Sequence, residues 1–187
     1  MNTSTYVFIA LGVAVLFVAF LFNRLVALRQ AWNRAFADID VQLKLRHDLI
    51  PSLVETVKGY AAHERGVFTA VTEARAQAMR ASGVADKSAA EGALSGALAN
   101  LFAVAENYPQ LKASEPFRHL QERISGLETA LADRREVYND AVNTNNVRID
   151  AFPDVLVARL GDFPPGQLLH FQADQKSDVD LSAAFSR

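Results

Sequence analysis

The chain opens on an uninterrupted apolar run. Residues 1–23 carry no charged side chain, and residues 6–22 read YVFIALGVAVLFVAFLF, with Gly12 as the only residue outside the apolar set. A helix of this length covers about 26 Å at roughly 1.5 Å per residue. A few flanking residues on either side extend it to the roughly 30 Å hydrocarbon core of a bilayer. The pattern predicts a short N-terminal segment, residues 1–5, and a retained transmembrane helix over residues 6–25.

A cleaved signal peptide is the alternative for this run. Such a peptide needs a basic start and a small-residue cleavage site. Here the first residues are MNTST, and the nearest A-x-A, at residues 35–37, lies beyond the apolar run and its basic flank. That flank consists of Arg24, Arg29 and Arg34, whereas no Lys or Arg precedes the run. The charge bias predicts a single-pass protein with a short N-terminus outside and a cytoplasmic C-terminal body. A modest charge bias around a single anchor does not always determine its orientation, so the opposite orientation stays as the alternative.

Helical spacing continues from Leu25 to about residue 160. Apolar residues recur there at intervals of three and four, which places them on one helix face. Pro51 interrupts the first of these helices. Because it has no N–H for the carbonyl of His47, a kink or a break into two helices is expected. Three further helices are predicted over Arg65–Ala81, Asp86–Tyr108 and Glu115–Phe152, with Gly83, Pro109 and Pro153 near their ends.

The arrangement of these helices defines the expected fold class. No segment shows sustained alternation of apolar and polar residues, so a sheet is not expected. Short connections favour an antiparallel up-and-down four-helix bundle over residues 26–160, in which the long first and fourth helices pair. The chain is therefore predicted to be all-α, with a transmembrane helix followed by this bundle. Two prolines and scattered Asp residues predict an extended or disordered tail over residues 161–187.

Composition and motifs exclude several function classes. The chain has no Cys, which rules out thiolate metal sites, disulfides and a cysteine nucleophile. Its formal charge of −2 gives no basic footprint for nucleic acid. Neither an H-E-x-x-H pair, a Walker loop, a G-x-G-x-x-G nor a G-x-S-x-G elbow is present. We therefore predict no metal, no cofactor and no catalytic residue.

Polar residues interrupt the apolar stripes of the first and fourth helices. A guanidinium buried without a partner is costly, so each such arginine needs a carboxylate or a place at the edge of its stripe. The arginines are Arg46, Arg134 and Arg148, and the carboxylates considered for them are Asp40, Asp48, Glu55, Glu106 and Asp133. The predicted buried polar network comprises Arg46, Glu55, Glu106, Tyr108, Arg134, Tyr138 and Asn145. Such a network either fixes helix register, as polar residues do in coiled coils, or lines a binding or catalytic cleft.

Three short strings occur along the chain: DLIP at residues 48–51, KGY at 58–60 and AENYP at 105–109. In this order they resemble the LemA family of bacterial membrane proteins, and the likeness covers about Leu25–Leu160. The resemblance implies a single N-terminal span in the bacterial inner membrane and a mostly helical, four-helix cytoplasmic domain. It also implies a relation to a protein of magnetosome membranes. The family supplies no established activity and no catalytic residues, and this chain departs from its usual pattern at residues 159–165.

Three classes of function are compatible with these features. The first is a membrane-anchored helical scaffold or adaptor that binds other membrane or cytoplasmic proteins, or itself as a homo-oligomer, without catalytic activity. The second is a sensor that binds a ligand and transmits the change through the anchor. The third is a membrane-associated hydrolase, for which Arg46, Glu106 and Arg134 form the only group that can be nominated. Ala10 and Ala14, at small-xxx-small spacing, are compatible with two anchors meeting in the membrane.

Overall fold

The computed structural model describes residues 3–170, and within this range every regular element is a helix. In chain order the helices are α1 (Thr3–Lys58), α2 (Arg65–Arg80), α3 (Val84–Ala105), α4 (Pro109–Ala113), α5 (Glu115–Asp150) and α6 (Asp154–Leu160). The all-α prediction is thereby confirmed for the described residues. The bounds of α2 and α5 differ from the predicted ones by one and two residues at their C-terminal ends.

The N-terminal part of α1 is apolar and exposed. Apart from Leu21, the large apolar side chains from Tyr6 to Phe22 are 43–73% exposed. By length and composition both α1 and α3 are apolar enough to cross a membrane. However, Leu94, Leu98 and Leu101 of α3 are fully buried in the protein core. We therefore identify α3 as a core helix and α1 as the helix that carries the candidate membrane span.

Prolines start helices in this chain as well as ending them. α1 stays helical through Pro51, so the alternative of a break into two helices does not occur. Pro109, expected only to end the third helix, occupies the first turn of α4, and Pro153 directly precedes α6. Proline is favoured in a first helical turn, as at Pro109, because the first helical N–H groups have no intrahelical partner. α4 and α6 are the two helices that the sequence pattern did not predict.

The described residues form two compact units, and the first of them contains the hydrophobic core of the domain. Of the described residues, this unit comprises Lys44–Glu128 together with Leu169 and His170. Its largest buried side chains come from α1, α2, α3, α4 and α5: Ile50, Leu53, Val57, Phe68, Val71, Leu94, Leu98, Leu101, Leu111, Phe117 and Ile124. Leu169 and His170 of the predicted tail belong to this unit, and the hydroxyl of Ser88 donates to the carbonyl of His170. The core thus draws on every helix in the unit.

Of the described residues, the second unit comprises residues 3–43 together with Thr129–Leu168. Here the fully buried ring of Tyr138 packs against the rings of Trp32 and Phe36, with centroid distances of 6.5 and 5.5 Å. The hydroxyl of Tyr138 donates to the carbonyl of Gln167 at 2.8 Å. Asn146 and Gly166 exchange two hydrogen bonds, of 2.9 and 2.8 Å. Residues 163–168 have no regular secondary structure and are packed on α5 by these hydrogen bonds. The tail prediction for residues 171–187 lies outside the described range.

Candidate functional site: a buried arginine, glutamate and histidine cluster

Three ionisable side chains are buried together in the Lys44–Glu128 unit. Arg46 and His47 are consecutive residues of α1, and Glu91 lies on α3. They are only 3%, 7% and 2% exposed. Charged groups are almost never buried to this extent unless they are paired. We call this set the Arg46 cluster.

The carboxylate of Glu91 binds both residues of α1. Its Oε2 accepts a hydrogen bond from Nη2 of Arg46, and its Oε1 lies 2.9 Å from Nε2 of His47. Nη1 of Arg46 donates to the hydroxyl of Ser95 at 3.0 Å and lies 3.7 Å from Oε1 of Glu128 on α5. The guanidinium thus connects α1 to α3 by direct hydrogen bonds and to α5 by a longer ion pair.

The ionisation of Glu91 depends on these partners. Burial raises the pKa of this carboxyl, but the adjacent imidazole of His47 and the positive charge of Arg46 outweigh burial. The net result is a pKa below the ordinary value of 4.5. Glu91 is therefore ionised at neutral pH, and the cluster contains a salt bridge rather than a neutral acid.

The lowered pKa of Glu91 predicts acid sensitivity. A carboxyl whose pKa is lower in the folded state stabilises the fold above its unfolded pKa and loses that contribution as the pH falls through the folded pKa. We expect the difference in unfolding free energy between wild type and Glu91→Gln to be largest above pH 4.5 and to shrink below it. Unfolding at a series of pH values measures it. Glu55→Gln, at a side chain 72% exposed, is the control and should show no such trend.

The carbonyl of His47 connects the cluster to a fourth helix, α2. Pro51, four residues further along α1, has no N–H to donate to this carbonyl. Nε of Arg75 on α2 donates to it instead, at 2.7 Å. The proline thus frees a backbone acceptor, and that acceptor holds α2 against α1 beside the Arg46 cluster.

A double-mutant cycle tests this role of Pro51. Arg75→Ala leaves the carbonyl of His47 unsatisfied and should lower the unfolding free energy by about 1–3 kcal/mol. In a Pro51→Ala background residue 51 regains its N–H, so the same Arg75→Ala change should cost clearly less. Unfolding of the wild type, both single variants and the double variant gives the coupling. If Arg75→Ala lowered the unfolding free energy equally in both backgrounds, Arg75 would not be replacing the N–H that Pro51 lacks.

Other members of the predicted network in this unit lie elsewhere. Glu55 is on the surface, where it binds Lys58 at 2.8 Å, and Glu106 is exposed. Tyr108 is half-buried, and its hydroxyl donates to Glu64 at 3.2 Å. Burial and this hydrogen bond raise the pKa of Tyr108. The structure therefore places none of these three side chains in the Arg46 cluster.

The remaining predicted members belong to the other unit. Arg134 is 43% exposed and lies 3.6 Å from an exposed carboxylate, that of Asp38. Asn145 is buried, and its side-chain amide donates to Asn146 at 3.4 Å. Tyr138 donates to the backbone of the tail, as described above, and burial raises its pKa. The seven residues predicted as one network thus occupy several separate places.

Two buried carboxylates were missed by the sequence analysis. Glu91 and Ser88 continue the 3–4 spacing of Leu94, Leu98 and Leu101 toward the start of α3, and this register was the available signal. Asp154, 1% exposed, lies 3.5 Å from Nη1 of Arg148. It is the first residue of α6, a helix that the pattern did not predict.

The Arg46 cluster connects α1 to its neighbouring helices through hydrogen bonds and ion pairs. The guanidinium and the carboxylate are paired with each other, and α2 and α5 contribute Arg75 and Glu128. The group nominated for a hydrolase is not assembled, because Arg46 pairs with Glu91 while Glu106 and Arg134 are exposed. Among residues 3–170 no group of three metal-binding side chains comes together.

Comparison with known proteins gives the chain its family. A model of the LemA family matches residues 35–182. Magnetosome proteins MamQ 1 and MamQ 2 of Paramagnetospirillum magneticum are each 24% identical over 186 residues, which cover 86% of this chain and 68% of the relative. Magnetosome protein MamQ of Magnetospirillum gryphiswaldense is 23% identical over 175 residues, 80% of this chain and 64% of the relative. These matches confirm the resemblance found in the sequence, and the chain belongs to the LemA family.

Proposed function

We propose that the chain is a membrane-anchored helical scaffold or adaptor that binds other proteins or itself. The observation that carries this proposal is the continuity of α1. Its first part exposes large apolar side chains from Tyr6 onward, and its last part supplies Ile50, Leu53 and Val57 to the hydrophobic core. One helix therefore serves as both the anchor and a core element of the domain, so the domain is held at the membrane without a linker.

The proposed domain is an antiparallel up-and-down four-helix bundle built from α1, α2, α3 and α5. The short connections at residues 59–64 and 81–83 favour antiparallel neighbours. Gly83 has a φ of 81°, which suits the tight passage from α2 into α3. The proposed orientation places this bundle on the cytoplasmic side of the bacterial inner membrane, because Arg24, Arg29 and Arg34 follow the span.

The internal pairing of buried charges and the exposure of large apolar side chains support a scaffold role. The Arg46 cluster pairs its charges internally, which fixes the register of the helices. Large apolar residues outside the anchor remain exposed, among them Met79 on α2 and Val137 on α5. Such positions are the places where a partner protein or a second copy would bind.

Site-specific photocrosslinking in cells tests the scaffold role. A photoreactive residue at Leu45, Tyr60, Met79 or Val137, each at least 44% exposed, should give discrete crosslinked species from at least one position. A glutamate at a neighbouring exposed position should abolish that species while leaving the thermal unfolding temperature unchanged. If none of the four positions crosslinks, either to another protein or to a second copy, the scaffold proposal is wrong.

The continuity of α1 also favours a sensor as the second candidate. A ligand that moved the domain end of α1 would act on the same helix that enters the membrane. Trp32, the single tryptophan, lies on α1 with its ring 6.5 Å from that of Tyr138, and it reports such a movement. A saturable change in Trp32 emission on adding a defined metabolite pool to the reconstituted protein would favour the sensor over the scaffold.

A further inference from the structure

The short helix α6 has two distinct faces. Asp154, Val157 and Ala158 are buried on one side. On the other side Leu156 and Leu160 are 56% and 91% exposed, and Phe152 just before the helix is 80% exposed. Leu156 and Leu160 are spaced by four and lie on one face of the helix, and Phe152 precedes it. We call Phe152, Leu156 and Leu160 the α6 apolar stripe.

The buried side of α6 packs against the end of the candidate membrane span. Val157 and Ala158 share a small apolar cluster with Leu21 and Leu25 of α1, which are 5% and 0% exposed. Leu21 and Leu25 fall in the last turns of the span predicted over residues 6–25, whereas the large apolar side chains before them are 51–73% exposed. α6 thus lies at the level along α1 where the span ends.

The chain after α6 contacts the same part of α1. The ring of Phe163 meets that of Phe22 edge-on, with centroids 5.4 Å apart. Gly161 makes this approach possible, because a Cβ there would lie 2.7 Å from the ring of Phe163 and 3.2 Å from that of Phe22. The exposed apolar surface of α1 therefore continues through Phe22 toward α6.

Charged residues beside this surface suit a lipid headgroup region. Arg24 and Arg29 of α1 are exposed, and the guanidinium of Arg29 lies 5.8 Å from the centre of the Phe163 ring. Arg159 is exposed on α6, and the exposed acidic residues nearby are Asp150 and Asp162. Arginines at the end of a span extend toward the phosphates while their aliphatic parts stay in the apolar layer.

We propose that α6 is an interfacial helix whose apolar stripe enters the headgroup–acyl boundary of the bilayer that α1 crosses. This inference rests on the proposed anchor. An amphipathic helix places its apolar face about 5–10 Å below the headgroups, the depth expected for a helix packed on the last turns of a span. The unit that contains α6 then has two membrane contacts, a crossing helix and a surface helix.

Depth measurement by spin labelling tests this inference. The chain has no Cys, so single labels are introduced by Leu156→Cys and Leu160→Cys in the full chain, reconstituted into vesicles of phosphatidylcholine and phosphatidylglycerol. Val137→Cys, at an exposed residue of α5 (62%), is the matched control, and Leu16→Cys, 72% exposed, reports the anchor. Accessibility to oxygen, which concentrates in lipid, is compared with accessibility to a water-soluble nickel complex, and unchanged thermal unfolding verifies each fold.

We expect labels at 156 and 160 to show an oxygen-to-nickel ratio several-fold above that at 137 and close to that at 16. A lipid-like ratio at 16 with a water-like ratio at 156 and 160 would overturn the interfacial helix and leave the anchor standing. Labels at 156 and 160 shielded from both reagents and broadened by spin–spin coupling would show that a second copy covers the stripe, which also overturns it. A water-like ratio at 16 would overturn the anchor and this inference together.

Discussion

Arg46→Ala should lower the unfolding free energy by about 3–5 kcal/mol, because it leaves a charged carboxylate buried without its cationic partner. Glu91 is 2% exposed and would keep only His47 beside it. Ser95 and Glu128 would lose their contacts with the guanidinium as well. Denaturant unfolding of the detergent-solubilised full chain, monitored on helix content, measures the change.

Arg134→Ala is the matched control for this prediction. It removes an arginine of the other unit whose ion pair with Asp38 is exposed on both sides, so its effect should stay below about 1 kcal/mol. The double change of Arg46→Met with Glu91→Leu separates charge from volume, because replacing both partners should recover most of the loss. If Arg46→Ala destabilised the chain no more than Arg134→Ala, the Arg46 cluster would have no structural role.

The second large effect concerns the anchor. Val13→Arg combined with Leu16→Arg places two charges in the middle of the apolar run, where both residues are more than 60% exposed. Each arginine at the centre of a membrane helix costs about 2.5–3.5 kcal/mol on insertion scales. Together they should move the protein from the carbonate-resistant membrane fraction to the soluble or aggregated fraction. Quantitative fractionation measures the shift.

Met79→Arg controls for the effect of an added charge elsewhere. Met79 is 57% exposed on α2, outside the run, so this variant should stay in the membrane fraction. A double arginine variant that remained fully resistant to carbonate would contradict the account of α1 as a membrane helix.

The sequence pattern predicted the helices that bury a long apolar stripe. α2 and α5 begin at the predicted residues, because a stripe with 3–4 spacing defines both a helix and its buried face. α4 and α6 escaped prediction because five and seven residues are too few to establish a period. The start of α4 fits the preference of Pro109 for the first helical turn, and Pro153 directly precedes α6.

Only the α1 side of the candidate site was predictable from the sequence. Periodicity placed Arg46 in the buried stripe of α1, and its burial followed from that position. The partner of Arg46 depends on the relative register of α1 and α3, and this register cannot be predicted from residue spacing within either helix. Glu91, 45 residues further on, was therefore overlooked in favour of carboxylates such as Glu55 that lie on the surface.

The pairing of side-chain donors with backbone carbonyls could not be predicted from the sequence either. Tyr138 was recognised as a hydroxyl donor, yet it donates to the carbonyl of Gln167 in the extended segment after α6. Similarly, the carbonyl that Pro51 frees was identified from spacing, but its donor Arg75 was not. Backbone acceptors have no sequence signature, because every residue carries one.

The most direct test of a membrane-anchored domain is cysteine accessibility at the two ends of the proposed arrangement. The chain has no Cys, so Thr3→Cys and Met79→Cys each introduce a single reporter, before the span and in the domain. Spheroplasts are treated with a membrane-impermeant maleimide before and after permeabilisation. The account predicts that Thr3→Cys is labelled in intact spheroplasts and that Met79→Cys is labelled only after permeabilisation. Labelling of Met79→Cys in intact spheroplasts would contradict the cytoplasmic placement of the domain, and labelling of both reporters there would contradict the membrane crossing itself.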